Sequence, residues 1–214
     1  MIRTAHVNGI DLSYREEGDP AAPTLVLLHG RTADHNNWNP FIRRFAERFH
    51  VVAPDLRGHG ASERPDRYEL PDMAEDVVAL LGALGVDQAI LVGHSLGGVV
   101  AYHLAMNHPE RVSLLVLEDP PAPVPHERPA LEDDSPMMVE TERQIVSPDP
   151  AWAEGLKRVK APTLVLAGGP ASHVIAEPLA DLIPGAKLVT IGVGHLIHAD
   201  APEEFWAAVG QFLD

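Results

Sequence analysis

The chain alternates between short, continuous apolar runs and longer stretches in which apolar residues recur every three or four positions. Runs at Ile10–Arg15, Thr24–Leu28, Val51–Ala53, Ala89–Val92, Ser113–Leu117, Thr163–Ala167 and Lys187–Ile191 predict strands. Several are apolar throughout, the pattern of strands covered on both faces. Helical spacing predicts helices over Trp38–Phe49, Asp72–Leu84, Val99–Asn107, Glu177–Leu182 and Pro202–Leu213. The last opens with Pro202, Glu203 and Glu204 in its first turn, which suits a helix N-terminus. Strand–helix alternation of this kind predicts an α/β fold, with a mainly parallel central sheet and helices on both faces. At 214 residues, with no internal repeat, the expectation is one domain over 1–214.

One segment breaks this rhythm. Between Pro120 and Pro150 there are eight prolines and an acidic cluster at Glu132, Asp133 and Asp134. So many prolines forbid one long helix, although a short one fits near Pro136–Ile145. The segment reads either as a surface loop or as a reduced lid over a site. A short lid buries little apolar area, so the expectation is weak anchorage and an open, shallow site for varied small substrates. The acidic cluster, if near the entrance, would disfavour anionic ones.

The densest chemical signal is Leu91-Val92-Gly93-His94-Ser95-Leu96-Gly97-Gly98. A predicted strand runs into a serine with glycines two residues before and two after, and a predicted helix follows. G-x-S-x-G at such a joint is a nucleophile elbow: the turn leaves no room for Cβ atoms at the flanking positions and lifts the hydroxyl above the sheet. A serine hydroxyl needs a base, and the base needs an orienting group. Among twelve histidines, His195 in the glycine-bearing loop Gly192-Val193-Gly194-His195-Leu196-Ile197-His198 is the candidate base, with His198 the fallback.

These pieces resemble the α/β-hydrolase fold, of the small esterase, lactonase and cofactor-free haloperoxidase type. The matching motifs run in family order. They are Leu27-Leu28-His29-Gly30, Ala53-Pro54-Asp55-Leu56-Arg57-Gly58-His59-Gly60-Ala61-Ser62, the elbow, Pro162-Thr163-Leu164-Val165-Leu166, and Gly192-Val193-Gly194-His195 through Pro202-Glu203-Glu204-Phe205. The resemblance implies Ser95 as nucleophile and His195 as general base and then acid. It also implies an oxyanion hole from the backbone N–H groups of Arg31 and Leu96. The Asp55–Gly60 loop reads as structural. The chain departs from the commonest family pattern at the acid. Ala171 occupies the expected position, so Asp119, after the preceding strand, becomes the candidate, with Glu118 the near alternative. Trp38, Met137, Met138, Trp152 and Leu196 are apolar candidates for the pocket wall.

Composition narrows the field. A formal charge of −15 argues against a nucleic-acid or anionic-membrane partner. With no cysteine there is no disulfide, thiolate nucleophile or Cys-ligated metal. Met1–His6 has no apolar stretch of signal-peptide length, and no run approaches ~18 apolar residues, so the expectation is a cytoplasmic protein. No HExxH and no GxGxxG after the first strand leave a metal and a dinucleotide cofactor without a motif. By the resemblance, Ser95 also argues against a dehalogenase or epoxide hydrolase, which carry aspartate at the elbow. The expected activity is hydrolysis of carboxylic esters or lactones, on a small-molecule substrate without cofactor. Alternatives are C–C bond hydrolysis or perhydrolysis by the same triad, and a non-hydrolytic receptor or lyase.

Overall fold

The structure is a computed structural model that describes residues 1–127 and 133–214. Within the proline-rich segment, Pro129 and the first acid of the cluster, Glu132, therefore lie outside the described residues. Eight strands form one sheet: β1 Ile2–Val7, β2 Ile10–Glu17, β3 Thr24–Leu28, β4 His50–Pro54, β5 Ala89–His94, β6 Val112–Glu118, β7 Thr163–Ala167 and β8 Lys187–Thr190. Their spatial order is β1-β2-β4-β3-β5-β6-β7-β8. The pairs β1/β2 and β2/β4 are antiparallel and the other neighbours parallel. The α/β-hydrolase fold with a mainly parallel sheet follows.

The apolar pattern locates every strand but β1. That strand is exposed along most of its length and joins β2 through Asn8 and Gly9, both at positive φ. Asn-Gly is the residue pair that a tight hairpin turn requires, and it is the signal the sequence carries for this strand.

The helices are α1 Asn39–Ala46, α2 Leu70–Ala83, α3 Leu96–Asn107, α4 Pro136–Val146, α5 Pro150–Leu156, α6 Pro178–Leu182, α7 Ile197–Asp200 and α8 Pro202–Leu213. Strand side chains alternate between two cores, as pleating demands. Val26, Leu28, Leu91, Leu115 and Leu117 pack with residues of α2 and α3, while Leu25, Leu27, Ile90, Val92 and Val116 pack with α1 and α8. Both faces of the central strands are therefore dry, while the edge strands β1 and β8 are largely exposed, and the ends of the central parallel strands are left as the place for polar groups.

The segment after β6 carries α4 and α5, the first close to the short helix expected there. Polar contacts hold α4 as well as apolar ones. The buried Gln144 accepts a hydrogen bond from Leu70 N–H at 2.9 Å and donates to the Tyr68 carbonyl at 3.2 Å. Arg31 Nη1 meets Glu142 Oε2 at 2.7 Å. The anchorage of α4 thus exceeds what its small apolar area alone would supply.

Candidate active site

Ser95 sits between β5 and α3 at φ 51°, ψ −117°, a conformation that costs about 1–3 kcal/mol for a non-glycine residue. The flanking glycines make it feasible. A Cβ on Gly93 would lie 2.4 Å from the Gly97 carbonyl oxygen, and one on Gly97 would lie 2.3 Å from that of Leu28. The hydroxyl is thereby raised at the C-terminal end of the sheet, over the first turn of α3.

The structure brings Ser95, His195 and Asp119 into one hydrogen-bonded line. His195 Nε2 lies 2.8 Å from Ser95 Oγ, and His195 Nδ1 lies 2.8 Å from Asp119 Oδ2. An ionised carboxylate only accepts, so the imidazole proton sits on Nδ1 and leaves Nε2 free to accept from the serine. Asp119 is buried, and its backbone is left-handed at φ 44°, which turns the side chain out of the strand's alternation and toward His195. Its Oδ1 accepts from Gly168 N–H at 2.7 Å, and its Oδ2 also accepts from Ser172 Oγ. Ser172 follows Ala171, the position where the commonest family pattern would place the acid. Sequence reasoning misses it, because a serine there carries no motif.

Glu118 faces the other way and does not meet His195. Its carboxylate accepts from His198 Nδ1 at 2.8 Å and from His198 N–H at 2.8 Å, so the alternative acid and the fallback base pair with each other. Burial pushes the Glu118 pKa up, but the His94 and His198 contacts outweigh it and the net direction is down.

A cleft of about 540 Å³ opens over Ser95. Arg31 and Leu96 line it, and Leu96, as the first residue of α3, has an N–H with no partner inside its own helix. Pro121, Met138, Ile145 and Val174 form an apolar wall, while Val193 and Leu196 flank His195. Of the apolar candidates, Met138 and Leu196 line the cleft. Trp38 is buried against His198 with ring centroids 4.8 Å apart, Trp152 packs on His103 at 4.4 Å, and Met137 packs against the main core. The exposed His173 contributes an edge-on contact to the His195 ring at 4.3 Å.

The Asp55–Gly60 loop is structural, as expected. Asp55 accepts from His35 N–H at 2.8 Å, from His35 Nδ1 at 2.7 Å and from Ala61 N–H at 2.9 Å. Arg57 makes a bidentate pair with Asp76 at 2.6 Å through both nitrogens. Among the described residues, two groups bring three metal-ligating side chains together: His94–Glu118–His198 and Asp34–His35–Asp55. His198 already occupies the Glu118 carboxylate and His35 that of Asp55, while Asp34 accepts from Asn36 N–H at 2.8 Å, so a cation would have to displace these donors. No helix among the described residues is long and apolar enough to cross a membrane.

Comparison with known proteins agrees with this fold. A sequence model described as the alpha/beta hydrolase fold matches residues 23–166. A putative esterase/lipase of Haemophilus influenzae is 27% identical over 240 residues, covering 90% of this chain and 83% of that protein. Epoxide hydrolase A of Mycobacterium tuberculosis is 36% identical over 124 residues, but the match covers 56% of this chain and 38% of that protein. Several other curated relatives are likewise matched over less than half of their length. Among solved structures, Est816, described as an N-acyl homoserine lactone degrading enzyme, superposes with a TM-score of 0.81 at 28% identity, covering 98% of this chain and all of that one.

Proposed function

The chain belongs to the α/β-hydrolase fold family, and on that premise we propose that it is a serine hydrolase cleaving carboxylic esters or lactones through an acyl-Ser95 intermediate. The observation that carries the reading is the line Ser95–His195–Asp119, with both contacts at 2.8 Å, at the base of a cleft. In acylation, His195 Nε2 takes the Ser95 proton as Oγ attacks the carbonyl carbon. The oxyanion forms against the N–H groups of Leu96 and Arg31, each worth about 3–4 kcal/mol when preorganised. His195 then returns the proton to the departing alkoxide, and the C–O bond breaks. Water repeats the sequence on the acyl-enzyme, giving the acid and restoring Ser95. Asp119 holds the Nδ1–H tautomer throughout and stabilises the imidazolium.

In this reading the two ends of the cleft take different parts of the substrate. The leaving group departs next to His195, toward Val193 and Leu196, and the acyl chain lies under α4 against Met138 and Ile145. A volume near 540 Å³ suits a small or medium ester. The epoxide chemistry in one relative's name is not carried over, because the elbow residue here is serine. Covalent labelling by a fluorophosphonate, lost in Ser95→Ala, tests the nucleophile, and a panel of p-nitrophenyl esters and lactones tests the substrate class. Ser95→Ala is expected to lose several orders of magnitude in turnover while remaining folded. Near wild-type turnover in that variant would refute the mechanism.

A further inference from the structure

Glu118 ends β6 and Asp119 follows it, and each holds one of two histidines three residues apart after β8, His195 in the loop and His198 in the short helix α7. Asp119 takes the His195 ring. Glu118 takes the His198 ring and, in addition, the His198 backbone N–H. Both members of the second pair are fully or almost fully buried, at 0% and 2% exposure. The His198 ring is fixed on its remaining sides as well. Trp38 lies against it at 4.8 Å, His94 meets it edge-on at 5.1 Å, and the Asn37 amide is 3.1 Å from Nε2. Buried as it is, the pair does not open to the cleft over Ser95, whose lining includes neither residue.

A second contact joins this buried group to the reacting one. His94 Nε2 lies 3.0 Å from the His195 carbonyl oxygen. A carbonyl only accepts, so Nε2 carries the His94 proton. The opposite edge of that ring abuts Gly30, where a Cβ would come within 2.7 Å of Nδ1. The His195 backbone is therefore held at its own carbonyl by His94 and three residues later by Glu118. His94 also links it to the loop that carries the Arg31 N–H.

We infer that Glu118, acting through His198, is a positioning residue that fixes the His195 loop so that Nε2 meets Ser95. This rests on the reading of Ser95 and His195 given above. The imidazole must keep two 2.8 Å contacts at once, and a displacement of about 1 Å in a reacting group can cost about 100-fold in rate. A carboxylate that accepts from both the backbone and the ring of His198 restrains translation and rotation of that loop together. Oε1 takes both the His198 N–H and Nδ1 at 2.8 Å, and Oε2 meets Nδ1 as well at 2.9 Å; a carboxamide that keeps its oxygen at Oε1 therefore turns an NH₂ donor toward the Nδ1–H in place of Oε2 and loses the charge that holds the ring.

The test compares wild type with Glu118→Gln, His198→Gln and the double variant. It reads kcat and KM on a p-nitrophenyl ester, the rate of fluorophosphonate labelling across pH, and the melting temperature. Each single variant is expected to lower kcat and the labelling rate at least tenfold, with KM within about twofold, at a temperature where all remain folded. The double variant should lose little more than either single, because both remove the same contact. A Glu118→Gln protein with wild-type kcat and labelling profile, changed only in melting temperature, overturns the inference. If Glu118→Gln does not fold, His198→Gln, which keeps the Glu118 carboxylate and the backbone N–H at position 198, is read alone: the same kcat loss is expected, and wild-type kcat and labelling there overturn the inference equally. A wild type that no fluorophosphonate labels at Ser95 overturns the nucleophile reading itself, and the inference with it.

Discussion

Replacing Asp119 by asparagine isolates the proposed orienting acid, exchanging one carboxylate oxygen for an NH₂. The carboxylate serves three donors: Gly168 N–H on Oδ1, and Ser172 Oγ–H together with His195 Nδ1–H on Oδ2. Asparagine has one acceptor oxygen and one NH₂, so two orientations compete. With oxygen toward His195, the NH₂ would face Gly168 N–H across 2.7 Å, leaving two buried donors unsatisfied at about 1–3 kcal/mol each. With oxygen toward Gly168, the NH₂ donates to His195 Nδ1, and the imidazole only has to change tautomer. The second orientation wins. Its consequence is that Nε2 carries the proton and can no longer accept one from Ser95. The expected loss is about 10⁴-fold in kcat, or about 5.4 kcal/mol of transition-state stabilisation. The assay is steady-state hydrolysis of p-nitrophenyl acetate, alongside fluorophosphonate labelling and thermal melting. Asp119→Asn should lose far more than Glu118→Gln. A folded Asp119→Asn protein within tenfold of wild type would show that His195 is not oriented through this contact.

Two further outcomes follow from buried polar groups. His103 on α3 is fully buried against the Trp152 ring of α5, and burial lowers its pKa to about 3, while His29 and His94 are lowered to about 4. A folded-state pKa below the unfolded value of about 6.5 means the unfolded chain takes up the proton first. Stability is thus intact above that value and is lost as pH falls toward 3. His103→Phe is expected to flatten the fall of melting temperature between pH 6.5 and 4, and an unchanged slope would count against it. Gln144→Leu strands the Leu70 N–H that Gln144 accepts from, so about 1–3 kcal/mol of stability should be lost by urea denaturation. Because Met138 and Ile145 of the same helix line the cleft, KM for the longer acyl esters should rise in that variant more than for acetate. Equal KM changes along the acyl series would refute a substrate role for α4.

Much of the fold is readable because its strands are buried on both faces. A strand such as Thr24–Leu28 sends Leu25 and Leu27 into one core and Val26 and Leu28 into the other, so these four consecutive positions must be apolar and the run stands out. At the edges the constraint lapses: β8 is exposed but still reads as a strand through Leu188 and Val189, whereas β1 does not. β1 is an exposed edge with polar residues at Arg3, Thr4 and His6, held by its hairpin register to β2. The helix α5 lies hidden in a segment whose prolines argue for a loop. Pro150 stands at its start, where a missing N–H costs nothing, and Asp149 caps it by accepting from Ala151 N–H.

The site divides along the same line. Ser95 and the glycines around it are legible because a turn this tight admits almost no other residues, so geometry is written into local sequence. The acid is not, because the choice between Glu118 and Asp119 depends on one backbone torsion. Strand alternation would send neighbouring side chains to opposite faces, but Asp119 also leaves the strand at φ 44°, and that rotation decides which carboxylate reaches His195. Nothing in the letters Glu-Asp-Pro specifies it. What does specify it is non-local: Leu166 holds the Asp119 N–H, Gly168 holds Oδ1, and Ser172 shares Oδ2. The loop after β7 thus does not provide the carboxylate but supplies donors that receive one from β6. Ala171 is compatible with that exchange because its place in the hydrogen-bonded line is already filled from the neighbouring strand. An acid that moves between strands must take its donors from the loop it replaces, and a sequence read one motif at a time has no means of showing the two together.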